Sequence, residues 1–291
     1  TYGFAKGLAE VSGTAGKSNY RVAGSTNHGD GYRIHSQFSS NNLYGKWNLA
    51  VSPSFSLTAI AGYTDFFNQN AEGLNTVWLK LDRRMANPDA LKYNEYQKTQ
   101  RFLSGVSGKW ALASSQDLSF SVYFRDTGYK ESVPSSILHR RLYTPGSSIQ
   151  YNLHSGQAWL KNHLSLGSDL QGQSIDEYRH PNLGLAVEGP ELLSDQTISQ
   201  SEAGFYILDR VEFGPEWNLT MSFRYDNIHN KLDDHLKANG VDLSGEASFD
   251  KTTGRIGLTW NPVATFPSCS TKSFAGLSPP ACFARFAICP V

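Results

Sequence analysis

The feature that most constrains this chain is a period of two. Trp217, Leu219, Met221, Phe223 and Tyr225 are apolar, and Asn218, Thr220, Ser222, Arg224 and Asp226 between them are polar. A helix would scatter these two sets around its axis, whereas a strand places them on opposite faces. The same alternation sets Leu118, Phe120, Val122 and Phe124 against Ser119, Ser121, Tyr123 and Arg125. Leu160, Leu164, Leu166 and Leu170 stand against Lys161, His163, Ser165, Asp169 and Gln171, and Ile256, Leu258 and Trp260 against Arg255, Gly257 and Thr259. Leu43, Gly45, Trp47 and Leu49 interleave with Asn42, Tyr44, Lys46 and Asn48, and Phe55, Leu57, Ala59, Ala61 and Tyr63 continue after a turn. The pattern repeats through about eleven strands, so the chain is all-β.

The connections between strands alternate as well. Short turns fall near Gly13–Ser18, Ser52–Ser54, Ser114–Asp117, His154–Gln157, Gly214–Glu216 and Asn261–Pro262, all rich in turn-forming residues. Long polar connections lie near residues 27–40, 65–98, 127–146, 174–199 and 227–248. Short, long, short, long is the order of an antiparallel up-and-down transmembrane β-barrel with its long loops at one end. No stretch reaches the roughly 18 consecutive apolar residues of a membrane-spanning helix. A barrel passes that test, because its strands alternate and keep mean hydropathy low, here -0.40. Tryptophan placement agrees. Trp47, Trp110, Trp159, Trp217 and Trp260 each lie within about five residues of a short turn, where an aromatic girdle would meet the lipid-water boundary, and only Trp78 does not. Tryptophan also favours strands in general, which is the competing explanation.

Charge and cysteine usage exclude other classes. Lys plus Arg and Asp plus Glu are 26 each, so the basic footprint of a nucleic-acid binder is missing. No cysteine occurs in residues 1–268, a poor match to disulfide-rich secreted domains or to thiol and zinc chemistry there. The chain does not begin with Met, and its methionines are Met85 and Met221; it is expected to be a fragment.

With these residues in view, the chain resembles the TonB-dependent receptor family in its iron-complex branch. The likeness rests on Asp30-Gly31-Tyr32-Arg33-Ile34-His35-Ser36 followed by Asn42-Leu43-Tyr44-Gly45-Lys46, and on Leu57-Thr58-Ala59-Ile60-Ala61-Gly62-Tyr63 leading to Glu72-Gly73-Leu74. It continues through Leu160-Lys161-Asn162 with Gly167-Ser168-Asp169, Phe223-Arg224-Tyr225-Asp226, Leu243-Ser244-Gly245-Glu246 and Thr252-Thr253-Gly254-Arg255-Ile256-Gly257-Leu258. The resemblance implies a barrel of about 22 strands closed by an N-terminal plug, of which residues 1–262 would supply about half the wall. It further implies residence in the bacterial outer membrane, a ferric siderophore or similar metal chelate as ligand, and the TonB protein as energy-transducing partner through the missing plug. A fragment without that plug is expected to be inactive alone.

Several residues are candidates for chemistry. Arg83, Arg84, Arg140 and Arg141 lie in the expected long connections, where an anionic chelate would arrive first. Lys109, Arg125, Lys161, Arg210, Arg224 and Arg255 fall on the polar face; they either attract an anionic ligand or pair with Asp169, Glu212 and Asp226. Asp226, Asp233, Asp234, Asp242, Glu246 and Asp250 offer oxygens for calcium without the spacing of an EF-hand. Eight histidines occur without paired spacing on one element, which supports neither a zinc nor a haem site. Gly-x-Ser-x-Gly, Walker and dinucleotide patterns are missing, so neither an enzyme nor a resident cofactor is expected. The rivals are a passive porin-like channel, an outer-membrane hydrolase with Ser and His on its wall, and a secreted glycan-binding β-protein.

After Pro262 the alternation stops. Cys269, Cys282, Cys289, Pro267, Pro279, Pro280 and Pro290 crowd into residues 263–291, and proline suits a lipid-facing strand badly. This tail is expected to be aberrant, from a frameshift near Thr265, or disordered, with its cysteines free.

Overall fold

The computed structural model describes residues 2–157, 159–237 and 240–261. The expectation for the tail at 263–291 lies outside them. Eleven antiparallel strands form one sheet in simple sequence order: β1 (Ala5–Ala15), β2 (Ser18–Gly29), β3 (Phe38–Ser52), β4 (Phe55–Gln69), β5 (Tyr96–Ala113), β6 (Gln116–Ser132), β7 (Ser136–Gln157), β8 (Leu160–Pro181), β9 (Ser194–Phe213), β10 (Trp217–Asp234) and β11 (Gly245–Trp260). Two six-residue helices, α1 (Thr76–Leu81) and α2 (Pro88–Tyr93), lie between β4 and β5. The chain is thus all-β, a partial wall of an up-and-down barrel, and no described helix is long and apolar enough to cross a membrane.

Register converts the period of two into two faces. Trp217 is opposite Phe213 and Trp260, Leu219 opposite Val211 and Leu258, Phe223 opposite Ile207. Because directly paired residues point the same way, the five apolar residues of β10 share one face with those of β9 and β11. Carried across the sheet, that face holds Leu166 opposite Tyr151 and Ile207, and Trp110 opposite Leu118 and Phe55. Phe223 and Leu258 are half exposed, at 52% and 50%. In water such a surface would aggregate; in a bilayer it meets acyl chains. Among the described residues the buried apolar side chains are Ala71, Ala86, Ala90, Ile137 and Leu138, all at the long-connection end. Among the described residues the strands below that end therefore enclose no water-excluding core, and lipid is the medium that the apolar face is shaped for.

At the short-turn end the connections are residues 16–17, 53–54, 114–115, 158–159 and 214–216. Gly16 and Gly214 supply the positive φ, +58° and +62°, that two of these turns require. Trp217 stacks on Trp260 with ring centroids 5.8 Å apart, and Phe55 lies 6.1 Å from Trp110, forming an aromatic row along that rim.

The long connections are shorter than the sequence implied. They occupy residues 30–37, 70–95, 133–135, 182–193 and 235–244. The expected connection at 127–146 is the largest departure. It is a tight hairpin, with β6 and β7 continuing on either side of three residues. Polar composition there reflects pairing beyond the apolar band: Arg141 donates across strands to Asp126 at 2.6 Å, and Lys130 donates to Glu188 of the connection after β8 at 2.6 Å. The turn expected at His154–Gln157 also moves, because β7 remains paired through Gln157, opposite Leu160.

A polar wall under a loop cap: the candidate ligand site

The face opposite the apolar band is a ladder of polar side chains. Arg224 on β10 bonds Asp169 on β8 at 2.9 Å and Asp226 at 2.7 Å. It reaches across β9 over Gly204, where a Cβ would lie 2.2 Å from its Nη2, so only glycine leaves room for the guanidinium. Beside it, Tyr206 donates to Gln150 at 2.8 Å, and Tyr123 to Gln171 at 2.6 Å. The Tyr123 ring lies flat on Gly146, 2.2 Å from where a Cβ would stand. A cleft of about 530 Å³ opens among Tyr123, Gln171, Asp169, Glu202, Arg224 and Lys251. Arg210 pairs with Glu212 at 2.7 Å. Of the six polar-face cations, Arg210 and Arg224 are therefore neutralised within the wall. Among the described residues the other four, Lys109, Arg125, Lys161 and Arg255, make no ion pair, and neither does Lys251.

A hydrogen-bonded cap of loops lies at the long-connection end. Arg33 donates from Nε to the Met85 carbonyl at 3.0 Å and from Nη2 to that of Ala71 at 2.9 Å, with Nη1 on the Glu72 carbonyl. A planar guanidinium with five donors is suited to hold three carbonyls at once. Asn75 caps α1 by accepting from Val77 and Trp78; Asn87, followed by Pro88, caps α2. The segment then docks on two neighbours. Ser132 Oγ donates to the Tyr93 carbonyl at 3.0 Å, Asn182 Nδ2 donates to Ser132, Val133 and Tyr93, and the Leu185 amide donates to Lys92 at 2.7 Å. Residues 30–37, 70–95, 133–135 and 182–187 thus form one unit. Glu95 ends the segment 1% exposed, with neither carboxylate oxygen hydrogen-bonded. Burial, and next the carboxyl of Glu72, push it up to about 7.

The four candidate arginines do not converge. Arg83 and Arg84 follow α1 in the cap, exposed and without an ion pair among the described residues. Arg140 and Arg141, expected in a connection, are strand residues of β7 and point to opposite faces. Arg140 forks onto Glu177, which is 3% exposed and also holds Arg179 at 3.1 Å. Arg141 pairs with Asp126 on the apolar-face side, above the band. The acidic stretch is internally committed too. Asp234 accepts from the amides of Leu236, Lys237 and Leu243, and Lys237 and Ser244 hold the Asp242 carboxyl well below the usual range. Among the described residues no group of three or more His, Cys, Asp or Glu is arranged around an ion. Sequence reasoning missed Arg33 and Glu95, since neither carries a local signal of its contacts.

Comparison with known proteins agrees with this geometry. Among curated proteins none matches the sequence. Solved structures superimpose closely despite low identity. The ferric citrate transporter FecA in its unliganded form gives a TM-score of 0.81 at 14% identity, covering 89% of this chain and 39% of that one. The siderophore receptor PiuA from Acinetobacter baumannii gives 0.73 at 11%, over 89% and 46%, and the alcaligin receptor FauA from Bordetella pertussis 0.70 at 14%, over 91% and 40%. The chain spans less than half the length of each. Residues 18–275 match the family described as TonB dependent receptor-like, beta-barrel. The chain therefore belongs to the TonB-dependent receptor β-barrel family, whose members are outer-membrane transport receptors.

Proposed function

We propose that this chain is part of the wall of an outer-membrane importer that captures a ferric siderophore or similar iron chelate and draws on the TonB protein, through a plug, to release it inward. The carrying observation is the joined cap beyond a polar wall: loops latched by Arg33, Ser132 and Asn182 form one hydrogen-bonded surface at the long-connection end of the sheet, as recognition loops on a scaffold require. The printed names of the structural neighbours, a ferric citrate transporter and two siderophore receptors, agree with such a cargo. In this reading the long-connection end is extracellular and the short-turn end periplasmic. Arg83 and Arg84 are the ligand contacts, because their charge is uncommitted, whereas Arg140 and Arg141 already hold Glu177 and Asp126.

The test is uptake of iron-55 chelates by cells making the intact protein. Arg83→Ala with Arg84→Ala should lower binding of an anionic chelate without changing surface abundance. Uptake should stop when TonB is deleted while binding persists; uptake that continues without TonB would establish the passive channel instead.

A further inference from the structure

His154 on β7 and His163 on β8 are nine residues apart in sequence and directly opposite across the hairpin on the polar face. Their rings are 5.0 Å apart between centroids, with planes at 70°, and the two Nδ1 atoms approach to 2.8 Å. On the far side of each ring stands a carboxylate: Asp117 Oδ1 is 3.4 Å from His154 Nε2, and Glu212 Oε1 is 3.4 Å from His163 Nε2. Both carboxylates are fixed from behind, Asp117 by Asn152 at 2.7 Å and Glu212 by Arg210 at 2.7 Å.

A neutral imidazole carries one N–H, and a carboxylate only accepts. With each ring's proton on Nε2, toward its carboxylate, the two Nδ1 lone pairs face each other. That arrangement is repulsive unless something positive lies between them. A carboxylate fixing the tautomer of a histidine whose other nitrogen carries a metal is the usual outer-sphere pattern. From this geometry we infer that His154 and His163 bind one divalent transition-metal ion of the zinc, nickel or copper type, through both Nδ1 atoms. Imidazole nitrogens suit those ions. At metal–nitrogen lengths of about 2.0–2.1 Å and a tetrahedral angle, the two atoms would lie about 3.3 Å apart, so each ring shifts by only a few tenths of an ångström. The side chains are 47% and 30% exposed, leaving the remaining coordination positions to water. The bound ion ties β7 to β8 directly and, through Asp117 and Glu212, to β6 and β9, at the short-turn end and away from the cap.

The experiment uses the intact protein purified in detergent and stripped with chelator. One equivalent of Cu2+ should give an electron paramagnetic resonance spectrum with coupling to two nitrogens, displaced by excess Zn2+. His154→Gln and His163→Gln should each weaken binding by at least about tenfold, and Glu212→Gln by about tenfold with the two-nitrogen coupling retained. His139→Gln, toward the other end of β7, should change nothing. In the unaltered protein, Zn2+ should protect His154 and His163, and not His139, from diethyl pyrocarbonate, a readout that depends on no variant folding. Absence of copper binding, the outcome of a proton shared between the rings, overturns the inference, as does undiminished binding in both histidine variants.

Discussion

Glu95→Gln should stabilise the loop cap, and only above mildly acidic pH. The substitution keeps the size of the side chain and removes a carboxylate that is 1% exposed with both oxygens unpartnered. The Glu95 carboxyl is raised from 4.5 to about 7 when the cap is closed. A proton held more tightly in the closed state favours closure at low pH. Below about 4.5 both open and closed caps carry the proton and the cap has its full stability; between 4.5 and about 7 that stability is lost, and above 7 the loss is complete. At about 1.4 kcal/mol per pH unit the loss is about 3 kcal/mol, roughly two orders of magnitude in the opening equilibrium. When opening is fast relative to cleavage, proteolysis reports that equilibrium. Limited proteolysis within residues 70–95 should therefore be much slower in Glu95→Gln than in the unaltered protein at pH 8, and equal at pH 4.5. Equal rates at both values would show that ionised Glu95 is hydrated in the closed cap and would refute the reasoning.

Val122→Arg, on the apolar face opposite Val106, should cost on the order of 2–4 kcal/mol in a bilayer, while Ser121→Arg, on the polar face between Ser107 and Ser148, should be tolerated; urea unfolding in lipid vesicles compares them, and equal effects would contradict the assignment of faces. Gly146→Val should cost about 1–3 kcal/mol, because Tyr123 must leave its place and its bond to Gln171, and the loss should shrink when paired with Tyr123→Ala in the same assay.

The alternation in sequence was sufficient to determine the fold class, the strand count and the two faces, because side-chain direction in a strand is a local consequence of backbone geometry. Trp217, Leu219, Met221, Phe223 and Tyr225 could be assigned to one surface with no knowledge of their neighbours, and the short turns marked one rim. Strand length was not legible in this way. Residues 127–146 are polar whether they form a loop or a hairpin above the membrane, and the difference lies in partners such as Asp126 and Arg141, which only register brings together. The same register separates Arg140 from Arg141 onto opposite faces and puts His154 against His163. Arg33 and Glu95 acquire their roles from loops as far as 52 residues away in the chain. Such contacts are decided by how the segments dock, a nonlocal balance of desolvation and hydrogen bonding with no period in the sequence.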